Sequence, residues 1–277
     1  MEIIYSIIEK VLPFSMFSYD FMKNAFAAIL FIAPLLGILG TMAVNNSMAF
    51  FSDALGHSAL TGIAIGVALG LDNHLVSMLA FGIALSLMIT KVKRAKTASA
   101  DTVISVFSSV SAALGLLILS RGGRFGKYSI YLIGDILSIT PGEILWLAIA
   151  FAAVLVIWYF IWNKLLLISV NSDLAASRGV RTGLVENIFV VVVAVVVMLS
   201  IKWVGILLIN SLLILPAAAA RNVSRNSRQY LAFSACISLV SSVSGLVISF
   251  YSDTAAGAAI VLVSAVFFFI SYIFRRK

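Results

Sequence analysis

Charge is what this chain has least of. Of its 277 residues only 11% are Asp, Glu, Lys or Arg, and 62% fall in the hydrophobic set, with mean hydropathy +1.13. Soluble domains carry about 25% charged residues, so a soluble enzyme, a disordered segment and a nucleic-acid-binding module are excluded. Cysteine is equally scarce. A single residue, Cys236, rules out a disulfide framework and any cysteine-based zinc site. Two histidines, His57 and His74, leave little room for hydrolase chemistry, and neither H-E-x-x-H nor G-x-S-x-G occurs. No phosphate-binding G-x-x-x-x-G-K-[ST] loop is present either. The nearest string, Gly122-Gly123-Arg124-Phe125-Gly126-Lys127, has the wrong spacing.

What the chain does have is long apolar runs, at 22–44, 57–71, 74–90, 103–120, 142–163, 185–201, 204–220, 231–250 and 258–274. A membrane-crossing helix needs about 20 apolar residues, so there is room for about nine spans and no separate soluble domain. The mixed stretch Met1–Phe21 lacks a basic start and a small-residue cleavage site, which points to an interfacial segment rather than a signal peptide. The expected architecture is an all-α polytopic membrane protein with eight or nine transmembrane helices, residues 22–277 forming one transmembrane domain. The count falls to eight if the 57–71 run does not fully cross.

The net charge of +8 is spread along the chain rather than gathered in a phosphate-binding patch. Most basic residues follow alternate runs: Lys91, Lys93, Arg94 and Lys96; Lys164, Arg178 and Arg181; Arg221, Arg225 and Arg228; and Arg275, Arg276 and Lys277. Placing all four groups in the cytoplasm satisfies the positive-inside rule, with the N-terminus outside and the C-terminus inside. Arg121, Arg124 and Lys127 do not fit this scheme. The loop around them, 121–141, is long enough for a short re-entrant helix near Tyr131–Ser138.

Four strings carry the chemistry. In Ser52-Asp53-Ala54-Leu55-Gly56-His57 the acid and the imidazole are four residues apart and share one helical face. One carboxylate oxygen and one imidazole nitrogen make half a coordination shell for a divalent transition metal. The alternative is a helix-start device, with Asp53 complementing the dipole. Ionisable residues at membrane depth are costly and mark pathways, which favours the metal. His74, in the turn Leu71-Asp72-Asn73-His74, reads as solvent-facing. In Tyr251-Ser252-Asp253-Thr254, Asp253 is either a third ligand or outer-gate acid, or simply the N-cap of the last helix. In Val204–Arg221, Asn210 and Ser211 place polar groups in an apolar span and serve as glue between helices, while Pro216 removes a backbone hydrogen bond and marks a moving part. In Val170–Val180, Ser172 is positioned to cap, Asp173 to occupy the first turn, Arg178 the last, and Gly179 the stop of a two-turn helix. That helix is either an ordinary loop element or a docking knob with Leu174, Ala175 and Val180 as its apolar face.

Three of these strings, in this order, resemble the membrane permeases of bacterial zinc and manganese ABC importers. The matching patterns are S-D-x-x-x-H-x-x-x-x-G at Ser52–Gly62, V-G-x-L-L-x-x-x-L-L-I-x-P-A-A-x-A at Val204–Ala220, and D-T-x-x-G at Asp253–Gly257. Gly134-Asp135-Ile136-Leu137 and the loop from Asp173 to Gly179 match in part, with Ala175 and Ala176 one or two places from the family's alanine. One departure stands before the Asp53 helix, where the family carries two arginines and this chain has Asn45-Asn46.

The resemblance covers residues 22–274 and implies a fold akin to type II importers. It further implies a homodimeric permease in the bacterial inner membrane, surrounded by lipid, with a pathway at the dimer axis. Cytoplasmic ATP-binding subunits and an extracytoplasmic metal-binding protein would be its partners, with no nucleic acid. No cofactor would be permanently bound: Zn²⁺ or Mn²⁺ would be the cargo, and ATP would act through the partner subunit. On this reading Asp53, His57 and Asp253 bind metal, Asn210 and Pro216 shape the pathway, and Asp173, Leu174, Ala175, Gly179 and Val180, within a 164–184 coupling loop, face the ATPase. The residues alone leave open a proton-coupled secondary transporter using Asp53, Asp253 and His57 as a relay, a permease for a metal chelate, and a non-transporting scaffold.

Overall fold

The structure, a computed structural model, describes residues 15–71, 73–95, 97–121, 126 and 134–275. Most of the expected interfacial segment, the basic residues Lys96, Arg124, Lys127, Arg276 and Lys277, and the first half of the expected re-entrant helix lie outside the described residues. Ten α-helices follow in order among the described residues: α1 Asp20–Asn45, α2 Phe51–Ala68, α3 His74–Arg94, α4 Ala100–Ser120, α5 Pro141–Val170, α6 Ser172–Ser177, α7 Thr182–Val204, α8 Ile206–Val223, α9 Ser227–Ser252 and α10 Ala256–Ile273. Every apolar run read from the sequence has become a helix. Eight of them are long and apolar enough to cross a membrane. Helix α2 is not among the eight: Ser52, Asp53, His57, Ser58 and Thr61 lower its hydropathy. It begins at Phe51, six residues before the expected run, so the acid–histidine pair lies inside the helix.

Local chemistry explains the boundaries. Side-chain oxygens of Asn73, Ser99 and Asn226 accept backbone N–H groups at the starts of α3, α4 and α9. Lys91, Lys93 and Arg94 fill the last turn of α3, where cations suit the helix dipole. At the end of α1 the Asn46 amide donates to the Met42 carbonyl at 2.8 Å, closing the helix where the family pattern carries arginine. A single residue, Gly205, separates α7 from α8. Its φ of 78° is open only to glycine at low cost. Gly134, with φ 69°, packs directly on the Val204–Gly205 backbone, leaving no room for a Cβ. The described part of the expected re-entrant helix is one 3₁₀ turn, Ile136–Ser138, capped by Asp135. Its described part is held by this cap, the Ser138 N–H bond to the Asp135 carbonyl and the Gly134 contact.

The chain packs as two compact units. One gathers the described parts of Met1–Thr41, Gly134–Ala152 and Trp203–Lys277, the other those of Met42–Ile133 and Ala153–Lys202. In the first, α1 is the buried helix. Along α9, Tyr230, Ser234 and Ser238, four residues apart, donate their hydroxyls to the Thr41, Gly37 and Ala33 carbonyls of α1 at 3.3, 2.6 and 2.6 Å. Such bonds contribute about 0.6–1.7 kcal/mol each in a membrane. They require close backbones, which Gly37 permits: a Cβ there would sit 2.8 Å from the Ser234 carbonyl oxygen. On another face of α1, a Cβ at Gly40 would run into the Leu213 carbonyl of α8. Gly245 of α9 abuts Ile260 of α10, and Asn222 of α8 donates to Ser271 of α10 at 3.0 Å. The 3₁₀ turn Ser15–Ser18 buries Phe17 edge-on against Phe26 of α1, ring centroids 5.1 Å apart.

In the second unit α2 packs between α3 and α4. A Cβ at Gly62 would meet the Met78 backbone of α3 at 2.7 Å, and one at Gly115 of α4 would meet Thr61 of α2, also at 2.7 Å. Thr61 donates to the Ser111 carbonyl at 2.5 Å, tying α2 to α4. Arg94 staples α3 to α7, donating to Glu186 at 2.9 Å, Asn187 at 2.7 Å and the Gly183 carbonyl at 2.5 Å. Trp158 of α5 stacks near Phe189 of α7, centroids 6.3 Å apart. The remaining large apolar side chains, such as Trp146, Tyr159 and Phe160 on α5 and Phe269 and Ile273 on α10, are exposed. Lipid, as apolar as these side chains, is their natural solvent.

The glycine contacts make a direct prediction. Gly40→Ala forces the α1 and α8 backbones apart and should lower the melting temperature of the purified protein by several degrees, whereas Ser238→Ala should cost only about 1 kcal/mol. Thermal unfolding in detergent, followed by tryptophan fluorescence, separates the two.

Candidate functional site

Asp53 and His57 occupy the first two turns of α2. The preceding residue Phe50 makes no side-chain cap, so Asp53 supplies the first-turn negative charge. The helical repeat brings His57 Nε2 to 3.7 Å from Asp53 Oδ2, with both side chains about two-fifths exposed. That gap is too long for a hydrogen bond. It is close to the separation of about 3.3 Å expected between two ligands of a tetrahedral ion bound at about 2.0 Å. A rotamer adjustment of a few tenths of an ångström lets both groups share one ion.

The pair faces a cavity of about 280 Å³. Phe50 stands beside it on the α2 side, and α4 forms the other wall with Ile104, Ser105, Ser108, Ser109 and Ala112. The Thr61–Ser111 hydrogen bond and the Gly115 contact, one turn deeper, fix the distance between the two walls. The three serines are functional candidates that the sequence reading missed. Their signal was present in the spacing: hydroxyls at i, i+3 and i+4 on an apolar helix share one face.

The other expected site residues fall as follows. Asp253 ends α9 in a left-handed conformation, φ 49°. It does not cap α10, whose first flanking residue is Ala255. Ser249 closes this turn, its hydroxyl donating to the Thr254 carbonyl and its own carbonyl accepting the Thr254 N–H. Asp253 belongs to the first unit and the Asp53–His57 pair to the second. Among the described residues no group of three His, Cys, Asp or Glu side chains comes together. His74 is not in an open loop. It is the first residue of α3, half-buried, with Nδ1 3.6 Å from the place a Gly66 Cβ would occupy. In α8, which runs through a buried Pro216, Ser211 donates to the Leu207 carbonyl of its own helix at 2.9 Å rather than across to a neighbour, and Asn210 is half-buried.

The expected two-turn helix is α6. Its cap is Asn171, not Ser172: the Asn171 amide oxygen accepts from Asp173 and Leu174 at 2.9 and 3.0 Å. An amide carbonyl one residue earlier reaches both orphan donors, leaving Ser172 inside the helix. At the other end Gly179, φ 79°, turns the chain, its N–H bonding to the Ala176 carbonyl while the Val180 N–H reaches the Ala175 carbonyl. Ala175 is fully buried, Leu174 exposed and Val180 half-buried, so Leu174 and not Ala175 is available to a partner. Beside α6 a cleft of about 390 Å³ is lined by Lys93, Arg94, Ala98, Ala100, Ser172, Thr182, Gly183 and Glu186.

This bundle, with an acid–histidine pair on a polar helix and a short capped helix between α5 and α7, has known counterparts. Residues 18–275 match the ABC 3 transport family. The chain belongs to that family. It is 33% identical over 259 residues to the "High-affinity zinc uptake system membrane protein ZnuB" of Haemophilus influenzae, covering 90% of this chain and 98% of the relative. It is 30% identical over 260 residues to the "Manganese import system permease protein ScaB" of Streptococcus parasanguinis, covering 94% and 92%. Among solved structures, "PsaBC from Streptococcus pneumoniae in complex with Fab" superposes with a TM-score of 0.80 at 26% identity, over 98% of this chain and 95% of that one. A second, described as an inward-facing conformation of a metal-chelate type ABC transporter, shares the fold at a TM-score of 0.72 and 13% identity, over 90% and 85%. The protein is a multi-pass membrane permease of this family.

The left-handed turn after α6 is testable. Gly179→Ala costs about 1–2 kcal/mol in that conformation and should raise hydrogen exchange of the Ala175–Val180 amides by about tenfold, with α7 unchanged.

Proposed function

We propose that this permease carries a bare divalent transition metal ion, zinc first and manganese second, through the pathway that Asp53 and His57 line. The observation that carries the reading is the pair itself: two potential ligand atoms 3.7 Å apart, facing a cavity, on the one long helix among the described residues polar enough to fall outside the eight apolar spans. One oxygen and one nitrogen, without thiolate, accept either metal. With only two strong donors the ion is held weakly, as transport requires. Relatives named for zinc uptake and for manganese import support the same choice of cargo.

ATP hydrolysis belongs to a separate ATP-binding subunit, and a metal-binding protein on the outer side delivers the ion. The functional permease is a homodimer embedded in lipid. Asp253 contributes an acid from the outer side. Asn210 and Pro216 give α8 a polar patch and a missing backbone hydrogen bond, the features of a helix that moves. Helix α6 receives the ATPase through Leu174, with Asp173 and Val180 beside it, while buried Ala175 and Gly179 fix its shape.

The test is uptake of radiolabelled zinc, with unlabelled manganese as competitor, in cells expressing the intact system. Asp53→Ala and His57→Ala should each abolish uptake, and parental uptake in either variant would disprove the site. Leu174→Asp should lower uptake at least tenfold while leaving metal binding to the permease unchanged. Deleting the ATP-binding subunit should stop uptake, whereas a proton-coupled transporter would continue.

A further inference from the structure

In the cavity between α2 and α4 of one protomer, a divalent ion at Asp53 and His57 has two protein ligands, yet Zn²⁺ takes about four and Mn²⁺ about six. Among the described residues no further acid, thiol or imidazole joins the pair. The opposite wall of the same cavity carries only hydroxyls as polar groups: Ser105, Ser108 and Ser109. Except for Ser52, whose buried hydroxyl has no partner among the described residues, the other serine hydroxyls of α2, α3 and α4 are occupied. Ser58 donates to Leu55, Ser86 to Ile83 and Ser120 to Leu117, and Ser111, on α4 itself, bonds to Thr61. The hydroxyls of Ser105, Ser108 and Ser109 make no hydrogen bond among the described residues, and all three residues are half-buried or exposed. The cavity of about 280 Å³ holds more than a bare ion: at about 30 Å³ per water, several waters enter with it.

We propose that Ser105, Ser108 and Ser109 hold the waters that complete the ion's shell, so that the ion occupies this cavity partly hydrated. This rests on the reading of Asp53 and His57 as the transport site. The acid and the imidazole displace two waters, and the serine face of α4 retains the rest by hydrogen bonds at its free hydroxyls. The two metals should differ in how far they depend on that face. Zn²⁺ fills a tetrahedral shell with the pair and two waters. Mn²⁺, six-coordinate and oxygen-preferring, needs about four waters and therefore more of the serine wall. The hydroxyl face thus acts as a selectivity element that lets manganese into a site whose two protein ligands alone suit zinc.

The experiment uses the purified permease bound to its ATP-binding subunit. Mn²⁺ binding is read from the electron paramagnetic resonance signal of the free ion, and Zn²⁺ binding by its competition. Ser108→Ala combined with Ser109→Ala should weaken Mn²⁺ binding by about tenfold, the equivalent of two modest hydrogen bonds, while Zn²⁺ stays within about twofold. Threonine at both positions, which keeps the hydroxyls, should restore Mn²⁺ binding. Equal weakening of both metals, no weakening of either, failure of threonine to rescue, or absence of Mn²⁺ binding to the parent complex would each overturn the proposal. Asp53→Ala is measured in parallel. Loss of both metals there, with silent serine variants, removes the hydration role alone, whereas retained binding there removes the ion site and this proposal with it.

Discussion

Helices in lipid gain little from hiding apolar surface, because the solvent is as apolar as they are. What holds this bundle together is close backbone approach, made possible by small residues and fixed by hydroxyls that reach neighbouring carbonyls. The ladder from Tyr230, Ser234 and Ser238 to the Thr41, Gly37 and Ala33 carbonyls shows the rule. The glycines at 37, 40, 62, 115 and 245 occupy the contacts where any Cβ would strike another helix. Backbone polar groups in the hydrocarbon must find partners within the protein, since no water stands ready there.

The same constraint makes α2 unusual. An acid, an imidazole, serines and a threonine on one helix are poorly suited to lipid, and α2 keeps most of its surface buried, against α3 on one side and α4 on another. Its polar groups are then divided by role. Thr61 and Ser58 are satisfied by carbonyls and hold the structure, while Asp53 and His57 turn to a cavity. A helix that could not cross the membrane alone is carried by its neighbours, and the polarity that disqualifies it as an ordinary span is what suits it to an ionic cargo.

The connection between α5 and α7 follows a similar economy. Helix α6 is only six residues long, too short to persist by helix propensity. Its permanence comes from the Asn171 cap, the left-handed Gly179 and the burial of Ala175. Beside it Arg94 ties α3 to α7 through Glu186, Asn187 and Gly183, so α6 adjoins a braced end of the second unit rather than a loose loop.

Much of this was legible in the residues alone. Periodic apolar runs dictated the helices, and the i, i+4 spacing the Asp53–His57 pair, because each depends on neighbours along one chain. The spacing of hydroxyls on α4 carried the serine wall too, but nothing local said which face of α4 would meet α2. Caps at Asn171 and Asp253 depended on which of several adjacent polar residues reached the helix end, a choice made by backbone geometry. Arg94 and Glu186 stand 92 positions apart, and no local pattern links them. Sequence therefore determined composition, helices and the acid–histidine pair, since these obey short-range rules. Tertiary structure alone decided the cavity, the partners of each hydroxyl and which residues of α6 remain exposed, because those are set by which helices pack together.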